Sequence, residues 1–230
     1  MVKFMSLSSG SCGNCYYLGT EKGGILIDAG VSLRRLKKVL QEYDMDMDSF
    51  SAVLVTHDHL DHIRHLGSFC KRLSKPVYTA PAIHQALARH TFTAPTIGPC
   101  RRELSEGEWN EVAGMKVRYF VVPHDATQTV GYAIEVEDHK FVIMTDVGRM
   151  TDEAVEFARK ADTVVEARAT NVGKSRGQCN TRKCAAKVER AVLNARHTLG
   201  DSDRGKLRAT GERTVFNNSY TVGDLDAREG

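Results

Sequence analysis

Residues 56–62 read Thr56-His57-Asp58-His59-Leu60-Asp61-His62, or THDHLDH. An apolar, β-branched run over residues 52–56 leads directly into this stretch and predicts a strand. Side chains two apart on an extended chain point the same way, so His57 and His59 are aimed together. Asp61 and His62 follow at the turn into the next predicted helix. Three imidazoles and a carboxylate within six residues form a dense nitrogen and oxygen ligand set that suits zinc, and also iron or manganese. The chain has only 9 His in 230 residues, so the alternative of a merely His-rich polar loop requires an improbable clustering. Buried without a cation, these groups would need other hydrogen-bond partners.

Strand-like runs surround the cluster at residues 2–7, 15–18, 24–28, 76–79, 115–122, 130–136, 141–145 and 163–166, many of them bounded by Gly, Pro, Asp or charged turns. Helical spacing appears over residues 33–43, 63–73, 82–90 and 152–160, the last with Thr151 as a predicted N-cap. Hairpin-like strands mixed with helices predict an α/β (α+β) layered sandwich, two mixed sheets with helices outside.

The strand and the H-x-H-x-D-H motif together resemble the signature of the metallo-β-lactamase-fold hydrolases. The resemblance continues in the family's order: GGILIDAG at 23–30, VVPHDA at 121–126, MTDVG at 144–148 and VVEA at 164–167. The opening SLSSGSCGN at 6–14, with His124-Asp125-Ala126 and Thr145-Asp146, is similar to the YycJ/VicX-type subgroup, whose members are exonuclease-like enzymes acting on DNA. The likeness covers residues 1–167.

The resemblance implies an αββα sandwich and two divalent metals, with zinc the first expectation and manganese or iron the alternatives. His57, His59 and His124 are then expected to hold one metal, and Asp61 and His62 the other, with Asp146 bridging. A shared hydroxide is the implied nucleophile, and Asp61 the residue that orients it or takes its proton. Asp28 is expected to brace a ligand histidine, and Ser9, Ser11 and Asn14 to line the substrate pocket. The implied substrate is DNA or another phosphodiester. A thioester or lactone hydrolase of the same fold, and a non-catalytic relative with an incomplete second site, remain open. Lys71, Arg72, Lys75, Arg101 and Arg102 are candidates for a phosphate-tracking rim, with solvated surface charge as the plainer reading.

The totals limit other classes. A net charge of +3 does not by itself argue for nucleic acid. No apolar run approaches the length of a membrane span, and the N-terminal residues lack a signal peptide's apolar stretch, so a cytoplasmic protein without a membrane partner is expected. Six Cys in such a compartment are expected as thiols, and Cys12-x-x-Cys15 has no second close pair with which to build a zinc ribbon.

The pattern changes at residue 168. Residues 1–166 carry 19 of the 32 Lys and Arg and 22 of the 29 Asp and Glu, while residues 167–230 carry the other 13 and 7. One amphipathic helix is expected over 184–199; elsewhere the segment has no clear period. The Asn-His-Asp or Asn-Tyr-Asp segment and the later Gly-His-Leu-Ser that the resemblance implies do not follow Ala167. Only His197 is left as a later candidate ligand. Residues 168–230 read as an atypical basic tail: a shifted reading frame, a divergent replacement, or an arm for nucleic acid.

Overall fold

The computed structural model describes residues 2–10, 13–167 and 214–216. Two six-stranded sheets face one another. The first contains β1 (Lys3–Ser8), β2 (Cys15–Thr20), β3 (Gly23–Ile27), β4 (Phe50–Leu54), β5 (Val77–Thr79) and β6 (Arg101–Glu103), side by side in that order. The hairpins β1–β2 and β2–β3 are antiparallel, whereas β3 through β6 run parallel. The C-terminal ends of those four strands therefore share one edge. The second sheet has the order β12 (Thr214–Phe216), β11 (Thr163–Ala167), β10 (His139–Thr145), β9 (Thr129–Val136), β8 (Met115–Val122), β7 (Asn110–Val112). It is antiparallel from β7 to β10 and parallel from β10 to β12.

Side-chain alternation explains the layering. Val117 and Tyr119 of β8, Val130, Tyr132 and Ile134 of β9, and Phe141 and Ile143 of β10 join the core shared with the first sheet. The intervening Phe120, Val122, Ala133, Val142 and Met144 form a second cluster on the opposite face, beneath α6 (Asp152–Lys160). A period of two thus gives one sheet two buried faces. Phe4 of β1 and Phe141 of β10 meet across the sandwich, ring centroids 6.1 Å apart.

The helices carry their own start signals. In α1 (Leu33–Gln41) the Ser32 side chain accepts from the Arg35 N–H, and Leu36 and Leu40 are buried. In α6, Thr151 caps Ala154 N–H, with Asp152 and Glu153 in the first turn and Arg159 and Lys160 in the last, matching the helix dipole.

The helix expected over residues 63–73 is instead two: α2 (Leu60–Ile63) and α3 (Leu66–Leu73). The carbonyls needed to continue the ladder are taken elsewhere. Asp61 O accepts the Asn14 N–H at 2.7 Å, His62 O accepts Ala29 N–H at 2.7 Å, and the His65 N–H turns out to Ala29 O at 3.1 Å. Between β5 and β6 lie α4 (Pro81–Leu87) and α5 (Ala94–Cys100), the latter not anticipated because Pro95, Gly98 and Pro99 all read as breakers. β6 and β7 were likewise not anticipated, being three residues each with little apolar pattern. The helix expected at 184–199, His197, Ser11 and Cys12 lie outside the described residues.

Candidate metal centre

Three chain crossings assemble the site at the shared strand edge. The loop after β1 carries Asn14, the loop after β3 carries Asp28-Ala29-Gly30, and the loop after β4 carries residues 55–59 into α2. They are sewn by backbone bonds: Asn14 N–H to Asp61 O, Gly30 N–H to Asn14 O at 2.9 Å, and Asp28 N–H to Leu54 O at 2.8 Å. Two glycines make this approach possible. A Cβ on Gly30 would meet Asp61 O at 1.8 Å and Asn14 N at 2.5 Å. One on Gly13, whose φ is +130°, would meet Gly30 O at 2.4 Å.

Asp28 is fully buried and sits in the left-handed region, φ 65°. Its Oδ1 accepts from Thr56 N–H at 2.9 Å, and its Oδ2 accepts from His62 Nδ1 at 2.7 Å. The Thr56 hydroxyl donates to Asp28 Oδ2 at 2.9 Å, so its oxygen is left to accept from the Thr145 hydroxyl at 3.0 Å and from His57 Nδ1 at 3.0 Å. This chain of donors fixes both tautomers. His57 and His62 each carry hydrogen on Nδ1 and turn Nε2 inward.

The inward atoms converge on Asp146, the residue after β10, also left-handed at φ 54°. Asp146 Oδ2 stands 2.8 Å from His62 Nε2 and 3.4 Å from His57 Nε2. His57 Nε2 is buried and has no hydrogen-bond partner among the described residues. Around it stand three more imidazoles, with ring centroids at 4.0 Å for His62, 4.7 Å for His59 and 5.2 Å for His124. Two sets of potential ligand atoms, each within 4.8 Å of one another, share His57: His57, His59 and His124, and His57, His62 and Asp146.

Lone pairs facing a carboxylate across about 3 Å repel unless a positive charge stands between them. Protons alone serve poorly. Burial opposes a charged ring at His62, yet the carboxylates of Asp28 and Asp146 overcome it and push His62 up to about 10. A proton on Nε2 would then face the Asn14 amide at 2.9 Å, whose NH2 is fixed toward His62 because Asn14 Oδ1 accepts the Gly10 N–H at 2.9 Å. At His57 burial wins and holds the ring below its usual value. Burial disfavours the charged form of Asp146 as well, but the imidazoles of His57 and His62 beside it hold the carboxyl well below the usual range. An uncharged His57 Nε2 beside an ionised carboxylate is the donor set a divalent cation fits.

The remaining anticipated residues fall around this centre. His59 and His124 close its outer side, His124 Nε2 lying 3.3 Å from His59 Nδ1. Asp61 Oδ2 lies 3.7 Å from His62 Nε2 and accepts from Asn14 Nδ2 at 3.2 Å. Asn14 is thus buried against the histidines, and Ser9 lies in the loop between β1 and Asn14. Asp58 was not singled out. It accepts from the Thr127 hydroxyl at 2.7 Å and the Thr127 N–H at 3.2 Å, tying the loop of His57 and His59 to the loop of His124. Thr145 was also missed as a brace. Its only sequence signal is its place beside Asp146.

For the five candidate rim cations the structure favours the plainer reading, solvated surface charge. Lys71, Arg72, Lys75 and Arg101 precede or begin β5 and β6, at the strand ends opposite the centre. Lys75 is engaged with the carbonyls of Met47 and Phe50, Arg101 with Glu103, and Arg102 with the Pro99 and Arg101 carbonyls.

A family model for the beta-lactamase superfamily domain matches residues 24–198. The exodeoxyribonuclease YycJ of Bacillus anthracis is 30% identical over 164 residues, 71% of this chain and 61% of that protein. The exodeoxyribonuclease WalJ of Streptococcus pneumoniae is 29% identical over 160 residues, 70% of this chain and 60% of that protein. The chain thus spans about 60% of the length of these curated relatives. Among solved structures, the metallo-beta-lactamase fold protein YhfI from Bacillus subtilis is similar with a TM-score of 0.56 at 17% identity, over 71% of this chain and 69% of that one. The facing mixed sheets, the centre at their shared edge and the matched family model agree: the chain has the metallo-β-lactamase fold and belongs to the beta-lactamase superfamily domain family.

Proposed function

We propose that the protein is a metal-dependent phosphodiesterase that removes nucleotides from DNA. The observation that carries the metal part is the buried Nε2 of His57, which has no hydrogen-bond partner among the described residues and is shared by two ligand sets. The phosphodiester part is supported by the relatives named exodeoxyribonucleases. In this reading His57, His59 and His124 hold one divalent cation. Asp61 and His62 hold another, and Asp146, whose Oδ2 lies near both His57 and His62, serves both. Zinc is the first expectation, with manganese or iron as alternatives. Such cations, when bound, supply Lewis acidity toward a phosphoryl oxygen and make hydroxide available at neutral pH.

The chain's own groups do the positioning. Asp28 and Thr56 hold His62 and His57 as Nδ1–H tautomers, keeping both Nε2 lone pairs inward. Asn14 Nδ2 holds Asp61 through Oδ2, leaving Oδ1 to orient a water and accept its proton. His59, partly exposed, and Asp125, exposed, form the open side through which a phosphate would enter.

A panel of linear DNA, a generic phosphodiester, a thioester and a β-lactam, assayed with one preparation, tests the substrate. Turnover of the two phosphodiesters is expected. Turnover confined to the thioester would replace this reading with the small-molecule hydrolase.

A further inference from the structure

The α4–α5 connection holds a partly exposed aromatic side chain. Phe92 is 37% exposed, and Leu60, next after His59, is 50% exposed. The His90 ring lies 5.3 Å from that of Phe92, tilted by 43°. His90 Nε2 stands 3.8 Å from Asp58 Oδ2, and Asp58 separates His57 from His59 in the chain. The pair therefore lies against the loop that carries His57 and His59.

The segment is also held rigid. Thr93 is buried and its hydroxyl donates to the Leu87 carbonyl. The Phe92 carbonyl rests on Gly67 at the start of α3, where a Cβ would meet it at 2.1 Å. Arg89 precedes the pair and Arg64 lies just before α3, and both are exposed. An exposed ring with Arg89 three residues before it, and Arg64 three residues before the Gly67 on which the Phe92 carbonyl rests, can stack a base while such charges attract the backbone.

We propose that Phe92, with His90, is a stacking platform for a base of single-stranded DNA entering the centre. The proposal rests on the phosphodiesterase reading and deepens it: the ring takes an unpaired base at the substrate end, where a strand free of its complement leaves base faces open.

Binding of a fluorescent oligo-dT with phosphorothioate linkages, measured by anisotropy on the metal-loaded protein, tests this. Phe92→Ala should weaken binding about tenfold, the range of one lost base stack. Phe92→Trp should retain binding. Phe92→Leu, which keeps an apolar side chain but no ring, should lose it like Ala. Melting temperatures of the three variants report whether the fold is kept, and turnover of a small phosphodiester without a base should be unchanged. Leu binding as well as wild type, or Ala binding unimpaired, overturns the platform. Wild type that cleaves the small phosphodiester but prefers blunt duplex to oligo-dT also overturns it, while leaving the phosphodiesterase reading intact. Failure on every phosphodiester removes that reading itself.

Discussion

Asp28 shows how a residue remote in sequence sets the chemistry of the motif. It contributes no ligand atom in the proposed scheme, yet it accepts from His62 Nδ1, Thr56 N–H and the Thr56 hydroxyl while fully buried. Asp28→Asn would turn an NH2 toward at least one of those donors and loosen the tautomer of His62. Outer partners of metal-binding histidines typically matter by about 10–100-fold in affinity, so metal titration should show a loss of that size. Unchanged affinity would remove Asp28 from the scheme. His59→Ala has a different expected signature. His59 lies at the partly exposed rim, outside the main core, so the variant should stay folded by circular dichroism yet lose hydrolysis. Retained activity after chelation would refute metal catalysis altogether.

At the scale of elements, the strands around the motif were legible because their apolar runs are long. β8 and α6 agree with the expected bounds, and β4 ends two residues earlier than expected. What could not be read was the crossing of three loops. The break between α2 and α3 depends on Asn14 and Ala29 claiming the carbonyls of Asp61 and His62, a long-range contest that no local pattern records. SGSxGN and DAG contain the signal in their glycines, but only the fold shows why. Gly30→Ala should therefore drive the loop from Asp61 and Asn14, costing roughly 1–3 kcal/mol by overpacking and lowering metal affinity with it. Denaturant unfolding and metal titration check both. A gentler probe joins the two sheets: Tyr132 OH donates to the Val55 carbonyl, which also accepts from Thr79 Oγ1 at 2.7 Å. Because Val55 keeps that second partner, Tyr132→Phe should cost only about 1 kcal/mol. A loss several times larger would show that the hydroxyl does more than bridge the sheets.

For the whole molecule, two facts meet at residue 167. The sequence pattern changes there, while the family model continues to residue 198. If residues 168–230 come from a shifted frame, reading codons 160–175 in the neighbouring frames should recover Asn-His-Asp or Gly-His-Leu-Ser. If no such segment exists and His197→Ala loses one metal, the tail is native and His197 is a ligand. Among the described residues no helix is long and apolar enough to cross a membrane. The central claim is that the histidines and carboxylates around His57 exist to hold divalent metal. Elemental analysis of the purified full chain, before and after reconstitution, tests it most directly. The account predicts one tightly held transition metal per chain, a second held more weakly, and loss of the tight one in His59→Ala. No transition metal after reconstitution would contradict it.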